Sequence, residues 1–149
     1  MHPTQQLTAL LERKHDYLSD LRDLGARQLE TIGNGDLTTL MKILSAKQSL
    51  LDELQNIEQQ LDPYRETAPD QRVWPNPGSR QHCEQLATRC RLLFAEVLQQ
   101  ERDAERQLVV QRDDAERQLQ GMHVAAHAHG AYMQTDSWQS STLNLTTES

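Results

Sequence analysis

The sequence predicts an all-α protein, an antiparallel bundle of three long coiled-coil helices with a flexible C-terminal tail. Three observations lead there. Leucines recur at alternating four- and three-residue spacings along most of the chain. Proline is absent from Thr4 through Asp62, so nothing interrupts a helix over that stretch. Hydrophobic residues make up 36% of the 149, but only six are aromatic, and leucine set among glutamine, glutamate and arginine suits helices that meet along narrow seams. A chain of this length supports one domain. The expected helical domain covers residues 1–120, with helices at about 4–32, 37–62 and 79–120, a Pro-rich loop at 63–78 and a tail at 121–149.

The first helix begins near Pro3 or Thr4, where proline is tolerated and threonine serves as a cap. Leu7, Leu11, Leu18 and Leu21 form its stripe, with Lys14 in the missing place, and Leu10, Tyr17 and Leu24 flank it. Gly25 costs about 1 kcal/mol relative to alanine inside a helix, and it makes room for a neighbouring helix. Gly33-Asn34-Gly35-Asp36 is the clearest punctuation. Gly33 and Asn34 suit a left-handed C-terminal cap, and Asp36 suits the N-cap of the next helix. So short a connection folds the second helix back antiparallel to the first. The expected seam of the second helix is Leu37, Leu40, Leu44, Lys47, Leu51, Leu54 and Leu61, flanked by Ile43, Leu50 and Ile57, with Pro63 as its stop.

The following loop contains Pro63, Pro69, Pro75 and Pro77 around Trp74. Trp74 reads as a plug over the nearby core, or alternatively as an exposed partner contact. The third helix is expected to start near Ser79 as N-cap. Its seam is Leu86, Cys90, Leu93, Val97, Ala104, Leu108, Gln111, Ala115 and Met122, widened by Leu92, Phe94 and Leu98. Its second half repeats itself, since ERDAERQL at 101–108 returns as RDDAERQL at 112–119, eleven residues on. Eleven residues fill three turns at about 3.67 per turn, so the repeat extends a nearly straight helix. Beyond Arg117 there is no Lys or Arg, and Gly121 and Gly130 loosen the segment; residues 130–149 are expected to be disordered in isolation. Tyr132, Met133, Trp138, Leu143 and Leu145 would make this tail a partner-binding strip, or it is a solvated end.

No catalytic, cofactor or metal site is expected. Neither GxxxxGK[ST] nor GxGxxG occurs, and a thin helical rod offers no deep pocket from which to exclude water. Asp103, Glu105, Asp113 and Glu116 lie among arginines and read as a solvated, ion-paired face. Cys83 and Cys90 are separated by two helical turns, about 10 Å, too far for a disulfide within that helix, and read as small buried apolar residues. His123 and His127 would share a helical face but lack a nearby third ligand, so with His129 they read as an accidental affinity for nickel or zinc. The formal charge of −7 without a basic patch argues against nucleic acid. No stretch approaches the length of apolar sequence that spans a bilayer, and the N-terminus lacks the pattern of a secretory signal, so the expectation is a cytoplasmic protein without membrane insertion.

The run from Leu7 to Leu61, with ARQLETIGNGD followed by LTTLMKILSAKQSLLDELQNIEQQL, resembles the FlgN-like family of flagellar export chaperones. The resemblance implies a chaperone without ATPase activity that holds hook–filament junction proteins of the FlgK/FlgL type before type III secretion, with the export apparatus as a further contact. It also implies that the C-terminal part takes the client's helical C-terminal segment. Carried over by apolar placement, that points to Leu108, Val109, Val110, Leu119, Met122 and Val124 as partner-binding residues. A monomer or weak dimer is expected. The competing expectation is a self-associating coiled-coil scaffold or adaptor without a secretion client.

Overall fold

The computed structural model describes the backbone of residues 3–143 and the side chains of residues 3–133. It contains three long helices, α1 (Pro3–Asn34), α2 (Leu37–Arg65) and α3 (Pro77–Leu143), with a short 3₁₀ turn at Pro69–Gln71 and no strand among the described residues. The chain divides into two compact units, Met1–Gln107 and Leu108–Ser149.

In the first unit each helix buries one stripe at alternating three- and four-residue steps. On α1 the stripe includes Leu7, Leu18, Leu21, Gln28 and Ile32; on α2 it is Leu40, Ile43, Lys47, Leu54, Ile57 and Leu61; on α3 it is Cys83, Leu86, Cys90, Leu93, Val97 and Ala104. That spacing keeps one face turned to the neighbours over many turns. The core is built in three successive clusters. Leu7, Ile57, Leu61 and Cys83 pack together at one end. Leu18, Leu21, Leu54, Cys90, Leu93 and Val97 fill the middle. Ile32, Leu40 and Ala104 close the end beside the α1–α2 turn.

The α2 stripe differs from the expected one. Leu37 and Met41 are well exposed and Leu44 and Leu51 partly so, whereas Ile43 and Ile57 are buried. Both flanks satisfy the same periodicity around the shared Leu40, Lys47, Leu54 and Leu61; the direction of the two neighbouring helices selects the isoleucine flank. On α3 the same holds, as Leu92, Phe94 and Leu98 are exposed instead of widening the buried face.

Between the middle and end clusters lies a polar layer. The Lys47 ammonium, 6% exposed, donates to Gln28 Oε1 at 2.6 Å and pairs with Glu101. One residue from each helix meets there. Burial pushes the Lys47 ammonium below its ordinary pKa. Beside it, the Gln100 side chain occupies the space that a Cβ on Gly25 would fill and donates to Arg22 O at 2.9 Å. The expected role of Gly25, room for a neighbouring helix, is met by this contact.

The helix ends are set by local chemistry. Gly35, not Gly33 or Asn34, takes the left-handed conformation, with φ +70. Its N–H donates to Ile32 O and that of Asp36 to Thr31 O, at 3.2 and 3.3 Å, the paired bonds that close a glycine-terminated helix. Asp36 then caps α2, accepting from Thr39 N at 3.1 Å and from Thr39 Oγ1 at 2.6 Å. These hydrogen bonds hold the Asp36 carboxyl below its ordinary pKa.

Pro63 does not stop α2, which runs on to Arg65 with the proline inside its last turn. So near the end, proline removes only one helical bond, and Arg65 Nη1 donates to Glu58 O in the preceding turn at 3.4 Å. Likewise α3 starts earlier than expected. Asn76 is its cap, accepting from Ser79 N at 2.8 Å, with Pro77 in the first helical position, where its missing N–H costs nothing. At its other end α3 does not stop near residue 120 but continues through Gly121 and Gly130. Neither glycine adopts positive φ, and a glycine without a left-handed turn weakens a helix by about 1 kcal/mol without ending it. The expected disordered end at 130–149 falls largely on residues whose side chains lie outside the described ones, and Leu145 lies outside them entirely.

Trp74 is the plug. It packs half-buried against the Leu7–Ile57–Leu61–Cys83 cluster, while Thr4 Oγ1 donates to Val73 O at 2.9 Å and ties the loop to α1. Cys83 and Cys90 are buried and form no disulfide, Cys90 Sγ donates to Leu11 O at 3.7 Å, and burial raises both thiol pKa values, which keeps them as neutral thiols.

Two outcomes are expected from this packing. Glu101→Ala strands the buried Lys47 ammonium and lowers unfolding free energy by about 2 kcal/mol, and adding Lys47→Met recovers most of the loss; urea denaturation measures both. On the acid side, burial opposes ionisation of Glu58, but the Lys14 and Arg65 donors prevail and hold its carboxyl below 4.5. A depressed carboxyl contributes stability that is fully present above its unfolded-state value and lost as pH falls through the folded one. Glu58→Gln therefore flattens the decline of stability below about pH 4.5.

Candidate partner-binding surface

The second unit, as far as it is described, consists of one element, the continuation of α3. A lone helix cannot bury its own apolar stripe. Accordingly Leu108, Val109, Val110, Leu119, Met122 and Val124 are all exposed, from 39% at Val109 to 67% at Met122.

Helical geometry sorts these six. At about 3.6 residues per turn, Leu108, Leu119 and Met122 fall on one face together with Ala115, and Ala126 and Met133 extend that face further along. Val109 lies to one side, and Val110 and Val124 lie on the opposite side. The sequence reading named Val110 and Val124 for apolar character alone. Met133, expected in the partner-binding strip of the tail, is exposed on this same face.

The eleven-residue repeat gives a direct comparison. In the first copy Ala104 is 3% exposed and packs on Ile32 and Leu40. In the second copy the equivalent Ala115 is exposed. The surface charges repeat as well: Arg106 pairs with Asp103 at 3.5 Å, and Arg117 with Asp114 at 3.3 Å. Arg112 lies 3.3 Å from Asp113 and 4.0 Å from Glu116. Such exposed pairs contribute little to stability, but they keep the flanks of the stripe charged and wet. Ala104 of the first copy is thus packed, whereas its counterpart Ala115, with Leu119, is exposed.

His123, His127 and His129 are exposed along the helix, and among the described residues no group of three or more His, Cys, Asp or Glu side chains is placed to hold a metal ion. No helix among the described residues is long and apolar enough to cross a membrane. What the surface offers is a strip of leucine, alanine and methionine between charged borders, the form in which a groove-binding helix is received.

The repeat also sets a test of packing. Ala104→Asp buries a charge against Ile32 and Leu40 and lowers stability by about 3 kcal/mol, whereas Ala115→Asp, the same change one repeat later, changes it by less than about 0.5 kcal/mol. Thermal or urea unfolding followed by circular dichroism distinguishes the two. Compared with known proteins, the chain matches no family model, no curated protein and no solved structure.

Proposed function

We propose that this chain is a cytoplasmic export chaperone of the FlgN-like kind, which holds the C-terminal helical segment of a flagellar hook–filament junction protein (FlgK/FlgL type) on the distal part of α3 until type III secretion. The family assignment rests on the resemblance of residues 7–61 described above. The observation that carries the mechanism is the exposed face of Leu108, Ala115, Leu119 and Met122, which continues the face on which Ala104 is packed.

The physical sequence is simple. A client helix with leucine or isoleucine at three- and four-residue steps lies along the face and removes its apolar surface from water. Each fully buried leucine contributes roughly 1.5–3 kcal/mol. Ordering the client segment and immobilising side chains offset much of that gain, so the affinity is moderate and the complex reversible. A carrier that surrenders its cargo at an export gate needs this balance. No nucleotide enters the scheme, and release follows from competition for the client helix.

Mixing the purified chain with a peptide of the junction protein's C-terminal segment tests the proposal by light scattering and calorimetry. A one-to-one complex is expected, and Leu108→Asp with Leu119→Asp weakens it at least about 100-fold while the helical circular-dichroism signal stays intact. Val124→Asp and the pair His123→Ala with His127→Ala leave it nearly unchanged. A stable dimer of the chain that buries α3 and excludes the peptide would support the self-associating scaffold instead.

A further inference from the structure

Where the Pro69–Gln71 turn and Trp74 close over the ends of α1, α2 and α3, the first unit contains a cleft of about 510 Å³. This is within the range of roughly 300–1,000 Å³ typical of small-molecule sites. Leu7, Leu11, Leu61, Tyr64, Trp74 and Phe94 give it an apolar body.

Its charge is the reverse of the whole protein's. The chain carries −7, yet the cleft is lined by Lys14, Arg65, Arg72, Arg80 and Arg91 against the single carboxylate of Glu84. Three of these cations are neutralised: Lys14 by Glu58 at 2.6 Å, Arg65 by Glu58 and by Asp62, Arg80 by Glu84 at 3.0 Å and Asp70 at 3.4 Å. Arg72 and Arg91 have no carboxylate partner among the described residues. Arg91 donates to Thr88 Oγ1 at 3.1 Å, and Arg72 Nη2 donates to the carbonyls of Tyr64 and Thr67 at 2.8 and 3.5 Å.

Two donors in the lining are buried without an acceptor, Arg72 Nε and Trp74 Nε1. Each such group costs roughly 1–3 kcal/mol while unpaired. Arg72 lies in extended backbone just after the Pro69–Gln71 turn. A carboxylate has two oxygens and accepts from the N–H donors of a guanidinium.

We propose that this cleft binds a small amphipathic carboxylate. Its carboxylate is held by the guanidinium groups of Arg72 and Arg91, the two cations of the lining without a carboxylate partner, and its apolar body lies against Leu7, Leu61 and Phe94. The site uses none of residues 108–124, so it stands or falls independently of the chaperone reading.

Decanoate is a suitable probe, used below its micelle concentration. The chain has two tryptophans, and in the full-length Trp138→Phe variant Trp74 alone reports binding. Saturable one-to-one binding of decanoate is expected in Trp74 fluorescence and calorimetry, with decanol and decyltrimethylammonium at least about tenfold weaker, as befits loss of a charge-assisted hydrogen bond. Arg72→Gln lowers decanoate affinity about tenfold on the same ground. Ala87→Trp, which fills the cleft from α3 and adds a second tryptophan, is read by calorimetry, where binding is abolished while helicity is retained. Should Ala87→Trp fail to fold, Arg91→Gln serves as the second variant, with weaker decanoate binding expected. Absence of saturable binding to the folded chain would overturn the proposal, as would equal affinity for decanol or undiminished affinity in folded Arg72→Gln and Arg91→Gln.

Discussion

Burial of an apolar helical face needs neighbouring helices, and among the described residues the packed face of α3 ends at Ala104. That helix has 67 residues, against 32 in α1 and 29 in α2. The two shorter helices cover α3 as far as Ala104, which is packed against Ile32 and Leu40 at the level of the α1–α2 turn. The apolar periodicity continues in the sequence past that point, through Leu108, Ala115, Leu119 and Met122, and these residues are exposed. Long charged flanks make the strip tolerable in water, since Arg112, Asp113, Asp114 and Arg117 form local pairs. They leave its apolar side chains exposed.

The register of the packed half rests on its polar layer. Hydrophobic contacts alone allow one helix to slip against another by a turn, because leucine at one heptad position resembles leucine at the next. Lys47 breaks that equivalence. Only one alignment places its ammonium between Gln28 and Glu101, with Gln100 lying over Gly25. A buried polar residue of this kind is best understood as fixing alignment at some expense of stability. At the other end of the bundle, Thr4 binding Val73 O, Arg72 donating to Tyr64 O and the packing of Trp74 hold the connecting loop to the helix ends, and the loop so held forms the wall of the cationic cleft.

Much of the fold was legible in the sequence, for reasons that particular residues make plain. The four-three periodicity of Leu7 to Leu21, broken once at Lys14, and of Leu86 to Val97 reports directly which face is buried, and Gly35-Asp36 marks the turn within one or two residues. Which flank of α2 is buried was not legible. Leu37–Leu44–Leu51 and Ile43–Leu50–Ile57 satisfy the same spacing, and only the positions of the other two helices decide between them. Helix ends were misplaced where a single residue type was read as a command. Pro63 is tolerated in a last turn, Asn76 captures the cap from Ser79, and Gly121 lacks the left-handed turn that would make it a stop. On the distal surface, apolar identity named Val110 and Val124, but helical geometry sets them apart from Leu119. The cleft left no local signal at all, because its cations come from four separate segments and only tertiary packing brings them together.

The account therefore assigns different tasks to two regions, a cleft in residues 1–107 for a small carboxylate and a strip after residue 107 for a helix. Its central claim concerns the strip, and hydrogen–deuterium exchange tests it residue by residue. With the junction-protein peptide added in excess, the account predicts slowed amide exchange confined to α3 between residues 108 and 133 and unchanged exchange in α1 and α2. Slowed exchange centred instead on α1 and α2, or no change anywhere on α3, would contradict it.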